Sequence, residues 1–198
     1  DMEAWRCMKN DNFLGQDNRL DRWCVVGHWP TTLYRPDIPC FNPVVDREKR
    51  IISIDGGTSI KEDGQLNLVE LDRTGMVSWV GLDRLPTAQA LDSQEASIGS
   101  VNIRWGRDNL IAVLERGEEF CRCRHLTTGR ELDILTDYIW EKDGVTRCED
   151  STDYRLPVSP GDALSVVRRT SRGTLVKKNG VTGWYTGRLT EPTPGYRA

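Results

Sequence analysis

The groups in this chain best suited to chemistry are its thiols and imidazoles: Cys7, Cys24, Cys40, Cys121, Cys123 and Cys148, with His28 and His125. Cys24 lies a few residues before His28, and Cys123 is nearer still to His125. A cysteine nucleophile needs a thiolate, an imidazole base and an orienting group, and these meet in space, so closeness along the chain does not define such a site. Zinc favours Cys-x2–4-Cys knuckles, whereas the close pair here is Cys121-x-Cys123, so no metal site is expected. Cross-linking is the remaining use. An even set of cysteines beside a thin apolar core reads as a disulfide framework from an oxidising compartment, and hence as a secreted, extracellular protein. A local argument pairs Cys7 with Cys40 and Cys123 with Cys148, leaving Cys24 and Cys121 as a bridge between the halves. No Asn-x-Ser/Thr sequon adds support for secretion. The opening Asp1-Met2-Glu3 suggests a processed or trimmed start.

Carboxylates give no sharper lead. With 30 acidic residues some pair must fall close, so no one pair singles out glycosidase-type acid–base chemistry. Asp55-Gly56-Gly57-Thr58 is the most motif-like acidic segment, and it reads first as a hairpin turn. GxxxxGK[ST], Rossmann, HExxH and GxSxG signatures are all missing. The chain is therefore expected to be non-enzymatic, with no cofactor. Its 27 basic residues are interspersed among the acids, which does not fit the concentrated positive face of a nucleic-acid binder. No apolar stretch nears the roughly 20 residues that span a bilayer.

Aromatic residues are the better candidates for function, because flat rings stack on sugars and anchor protein contacts. Trp79 and Trp184 read as core residues at hairpin ends, whereas Trp29, Tyr34, Trp105, Trp140 and Tyr185 are available for a recognition surface. Strand alternation sends Tyr185 opposite to Trp184, so a buried Trp184 puts Tyr185 outside, beside Arg188. Trp105, Trp140, Tyr185 and Arg188 form the expected ligand-binding set.

The elements that must position these groups are short strands. Three segments share one pattern: Arg73–Trp79, Lys142–Cys148 and Lys178–Trp184 each carry a polar pair, a glycine and spaced apolar residues. Asp143-Gly144 and Asn179-Gly180 are type I′ hairpin signals. Ile51–Ile54, Leu66–Val69, Val101–Arg104, Leu110–Leu114 and Ala163–Val167 read as further strands bounded by Gly, Asp and Pro. Helix signals are weak, and Ala88–Glu95 reads as linker with one helical turn at most. The expected organisation is an N-terminal β domain over 1–86, a linker over 87–99 and a C-terminal β domain over 100–198.

Ser159–Val167, followed by Gly180-Val181-Thr182-Gly183-Trp184-Tyr185 and Leu189, resembles the later strands of an SH3 barrel. Val101–Gly106 with Ile111–Glu118 looks like the opening of a bacterial SH3b module. The resemblance covers about half of the chain. It departs from the family in Arg147-Cys148, where Gly-Trp is expected, and in lacking the Ala-Leu-Tyr-Asp-Tyr pattern of proline-peptide binders. It implies an all-β fold of two or three small SH3-like barrels in tandem, here disulfide-stapled, used to recognise a cell-wall glycan or a protein partner. A secreted effector or toxin acting on a host protein is the alternative from another class. A small hydrolase with an acidic or Cys/His site is the third.

Overall fold

Strands of two to eight residues, broken by Gly, Asp and Pro, build the whole molecule. The computed structural model describes residues 9–75 and 77–195, and among these there is no α-helix, only three short 3-10 turns. No helix is long and apolar enough to cross a membrane among the described residues.

Near the start, β1 (Cys24–Val26), β2 (Val44–Asp46) and β3 (Ile51–Ser53) form a sheet in the order β1-β3-β2, with β1 parallel to β3. A hairpin follows, β4 (Leu66–Leu71) and β5 (Val77–Leu82). At its turn the Asp72 carboxylate accepts from the Thr74 N–H (2.8 Å), and Gly75 takes φ +83°, a region open to glycine. One face is pinned by the buried Asn67 amide, which donates to the carbonyls of Phe41 (2.7 Å) and Ile54 (3.0 Å). The other sends Leu66, Leu68, Val80 and Leu82 into solvent. Trp79, expected in the core, is 43% exposed on this hairpin.

Residues 87–99, read above as a linker, contain β6 (Thr87–Gln89). Ala88 and Ala90 alternate inward and Gln94 is also buried, so the stretch is extended and no helical turn forms there. Next come β7 (Asn102–Ile103), β8 (Ile111–Glu115), β9 (Phe120–His125) and β10 (Glu131–Leu135), then β11 (Ile139–Lys142), β12 (Val145–Cys148) and β13 (Ser151–Thr152). β8, β9 and β10 make an antiparallel meander, β11 and β12 a hairpin, and β13 pairs with β7. The chain ends in β14 (Ala163–Thr170), β15 (Gly173–Lys178) and β16 (Val181–Tyr185), a meander that takes β6 on its far edge in the order β16-β15-β14-β6. Asp143-Gly144 and Asn179-Gly180 both have positive φ at each residue, as a type I′ turn requires. Among the described residues no sheet closes into a barrel.

Two apolar clusters hold these sheets. Val101, Ile103, Ile111, Cys121, Cys123, Leu132, Ile134 and Cys148 form the first; Ala90, Tyr154, Leu156, Val158, Leu164, Val176 and Tyr185 form the second. The N-terminal region is tied to the last sheet. The Phe41 N–H donates to the Gly180 carbonyl (2.8 Å) and the Thr182 N–H to the Pro39 carbonyl (3.1 Å), so residues 39–41 lie along β16.

The expected disulfide staple is not formed. Cys24, Cys40, Cys121, Cys123 and Cys148 are free thiols, and Cys7 lies outside the described residues. The Cys123–Cys148 and Cys24–Cys121 bridges are thus absent, and Cys40 carries no bridge. β9 turns Cys121, Cys123 and His125 inward together, and there the thiols pack as small apolar side chains. Burial pushes the Cys123 thiol up to about 11 and that of Cys148 to about 12, away from the thiolate that a nucleophile needs. His125 is engaged at both nitrogens, by the Thr128 hydroxyl and the Asp108 carbonyl, and His28 contacts the Asp11 carboxylate.

Candidate functional site

The alternation of β16 builds the site. Gly183 and Tyr185 face the second core, and a Cβ on Gly183 would meet the Tyr154 carbonyl oxygen at 2.9 Å. Thr182 and Trp184 project from the opposite face, where a half-open cleft of about 590 Å³ lies at the seam of three parts of the molecule. Val167 and Leu175 reach it from β14 and β15, Leu135 from the end of β10, and Phe41 and Ile60–Asp63 from the N-terminal region. Phe41, Leu135 and Thr182 are buried and make the floor; Trp184 and Tyr138 are half-buried, and Trp105 stands at the rim, 52% exposed. Trp184 is held by its Nε1–H on the Thr152 carbonyl (2.8 Å) and by an edge-to-face contact with Phe120, centroids 6.0 Å apart. The backbone of Trp105 donates to Asp150 Oδ1 at 2.6 Å, which fixes the rim.

The charges around this apolar space fall into two groups. Two lysines are neutralised in place: Lys61 Nζ lies 2.5 Å from Asp150 Oδ2, and Lys177 Nζ lies 2.8 Å from Asp83 Oδ2. Asp133 is paired with Arg172 (2.6 Å). Glu62, Asp63 and Glu149 have no cation within ion-pair distance among the described residues, and Glu62 accepts instead from the Tyr138 hydroxyl. Burial raises the Asp63 carboxyl to about 6, with the Asp150 charge adding and the Thr182 hydroxyl and Lys177 opposing. The Thr182 hydroxyl is buried and leans on this carboxyl without completing a hydrogen bond, so its oxygen lone pairs are unused.

Asp63 makes stability depend on pH, with a definite sign. Its folded value lies above the unfolded one, so the fold tolerates the neutral acid and loses stability as pH rises from about 4 to about 6. Discounted for partial exposure, the loss is about 2 kcal/mol at neutral pH. Asp63→Asn should therefore stabilise the protein by about 2 kcal/mol at pH 7 and leave it unchanged near pH 3.5. Urea titrations of both chains at the two pH values check this; an equal effect at both would show that Asp63 is solvated.

Of the four residues expected to bind ligand, only Trp105 lines the cleft. Trp140 lies half-buried on β11, beneath the guanidinium of its cross-strand partner Arg147 at 5.9 Å. Tyr185, expected outside, is fully buried because the face of β16 opposite Trp184 is the one that meets the second core. Arg188 is exposed but committed to Asp92, with Nη2 and Nε at 2.8 and 3.0 Å from its two oxygens, and this pairing lowers Asp92 to about 2. Trp184, expected in the core, is instead a wall of the cleft, and Phe41, Asp63 and Thr182 carried no sequence signal. Their convergence depends on the long-range pairing of residues 39–41 with β16, which no local motif announces. Compared with known proteins, the chain matches no family model, no curated protein and no solved structure.

Proposed function

We propose that the chain is a non-enzymatic binding protein that receives one side chain of a protein partner in this cleft, with β14–β16 and β6 acting as an open, SH3-like recognition module. The supporting observation is the cleft itself: apolar walls, a rim tryptophan and a buried, unpartnered hydroxyl on the floor. A polysaccharide would need several exposed aromatic platforms in a row, and Tyr185 is buried while Trp140 is covered by Arg147. We therefore rank a cell-wall glycan behind a protein ligand. Fluorescence of the cleft tryptophans, titrated with pentapeptides varied at the central residue, should show saturable changes that Val167→Phe abolishes by filling the space. Retention on peptidoglycan, chitin or cellulose that Trp105→Ala weakens would overturn the protein reading in favour of the glycan.

One observation favours hydrolysis as a second reading: Asp63 holds its proton up to about 6 near Asp150, which is ion-paired with Lys61. Both Asp150 oxygens are already engaged, by Lys61 and by the Trp105 N–H, which ranks this reading second. Turnover of a chromogenic glycoside, lost in Asp63→Asn, would promote it.

A further inference from the structure

The chemistry of the cleft selects among side chains. Among the described residues its floor offers one polar group without a completed hydrogen bond, Thr182 Oγ1, on a residue only 1% exposed. A hydroxyl can donate or accept, so the ligand group is decided by the charge around it. Glu62, Asp63 and Glu149 are without ion-pair partners among the described residues, whereas the neighbouring lysines are already matched to Asp150 and Asp83. An anion or a bare carbonyl would face uncompensated carboxylates; a cation with an N–H to give would meet both the charge and the free acceptor. The aromatic walls suit the same guest, since ring faces attract ammonium groups. The molecule already contains such a contact: Lys177 Nζ sits 5.7 Å from the centre of the Phe41 ring.

We propose that the cleft takes an alkylammonium group carrying at least one N–H, as on a lysine or a partly methylated lysine of a partner protein. The ammonium donates to Thr182 Oγ1 and faces the Asp63 carboxylate, while its aliphatic stem lies against Phe41 and Trp184. A quaternary ammonium would leave Thr182 Oγ1 unpaired. A guanidinium is a planar fork suited to a bidentate carboxylate, whereas a compact ammonium can give one N–H to the Thr182 hydroxyl oxygen and still face Asp63. This assignment rests on the binding reading above and specifies the chemistry of its ligand.

The test is calorimetric titration of the full chain with three probes: N-acetyl-lysine methylamide, N-acetyl-norleucine methylamide, which keeps the four-carbon stem and lacks the ammonium, and N-acetyl-arginine methylamide. The lysine probe should bind about tenfold more tightly than either of the others. Asp63→Asn should remove about tenfold of that affinity, and the isosteric Thr182→Val should remove about fivefold. Glu62→Gln serves for Asp63→Asn if that chain fails to fold, with circular dichroism reporting the fold of each. Equal binding of the lysine and norleucine probes, both lost in Val167→Phe, would overturn the cationic assignment and leave the binding cleft standing. Tighter binding of the arginine probe would overturn the choice of ammonium. Silence from all three, with no response to the pentapeptides either, would remove both readings. Lysine selectivity unaffected by the Asp63, Thr182 and Glu62 changes would place the cation elsewhere and overturn the assignment to this cleft.

Discussion

Lys177→Met should lower stability by about 3–5 kcal/mol, and for a chain of this size that is a fall in Tm of roughly 10 °C. The Lys177 side chain is 2% exposed and its Asp83 partner 13%, so both charges have left most of their water behind. The ammonium also accepts no substitute easily: it donates to the carbonyls of Asp63 (2.9 Å) and Gly64 (3.3 Å) and lies over the Phe41 ring. Truncating it strands the Asp83 carboxylate in a low-dielectric site and removes a cation that opposes the rise of Asp63. The double variant Lys177→Met/Asp83→Leu separates these effects, because replacing both charges with apolar groups removes the stranded carboxylate. It should regain most of the loss, and the two substitutions should be strongly non-additive. A single-variant cost below about 1 kcal/mol would mean that water reaches the pair. The second consequence is local. Residues 60–64 form one wall of the cleft, and the Lys177 ammonium ties their backbone to β15.

This lysine shows where the sequence is readable and where it is not. The Asn179-Gly180 turn that follows it is legible from two residues, because few others tolerate positive φ in succession. The all-β character is legible too, from short alternating runs bounded by Gly, Asp and Pro. The cysteines mislead because an even count and a thin core are consistent with bridges, while burial of Cys121 and Cys123 on one face of β9 is equally consistent with an i, i+2 apolar pattern. Sequence distance hid the site itself. Phe41, Asp63, Thr182 and Trp184 come together only after residues 39–41 have paired along β16 and Lys177 has crossed to Asp83. Asp63 fits the pattern of a residue kept at a cost to the fold, since its raised proton affinity destabilises the folded chain at neutral pH and sits in the cleft where a cation would relieve it.

Tyr185→Ala should cost about 3–5 kcal/mol and leave too little folded protein for any binding measurement at elevated temperature. Alternation along β16 correctly separates Tyr185 from Trp184, but it fixes only parity; which face meets the core is decided by what packs there. The Tyr185 ring is fully buried with Tyr154, Leu156 and Val176. Its hydroxyl donates to the Asp92 carbonyl (2.7 Å) and accepts from the Asp92 N–H (3.1 Å), so the ring closes the loop after β6 onto the last strand. Tyr185→Phe keeps the packing and loses those bonds, for an expected cost of about 1–2 kcal/mol, with affinity for the lysine probe unchanged because the ring points away from the cleft. A loss of affinity in Tyr185→Phe without a loss of stability would restore it to the binding surface. Gly187 supplies an independent check. A Cβ there would stand 2.3 Å from Tyr185 Oη and 2.4 Å from Cζ, at a ring held by packing and hydrogen bonds. Gly187→Ala should therefore be destabilising in the native background and close to neutral once Tyr185→Ala has removed the ring. Additivity of the two would mean that the ring does not lie across Gly187, and with it would fall the buried placement of Tyr185.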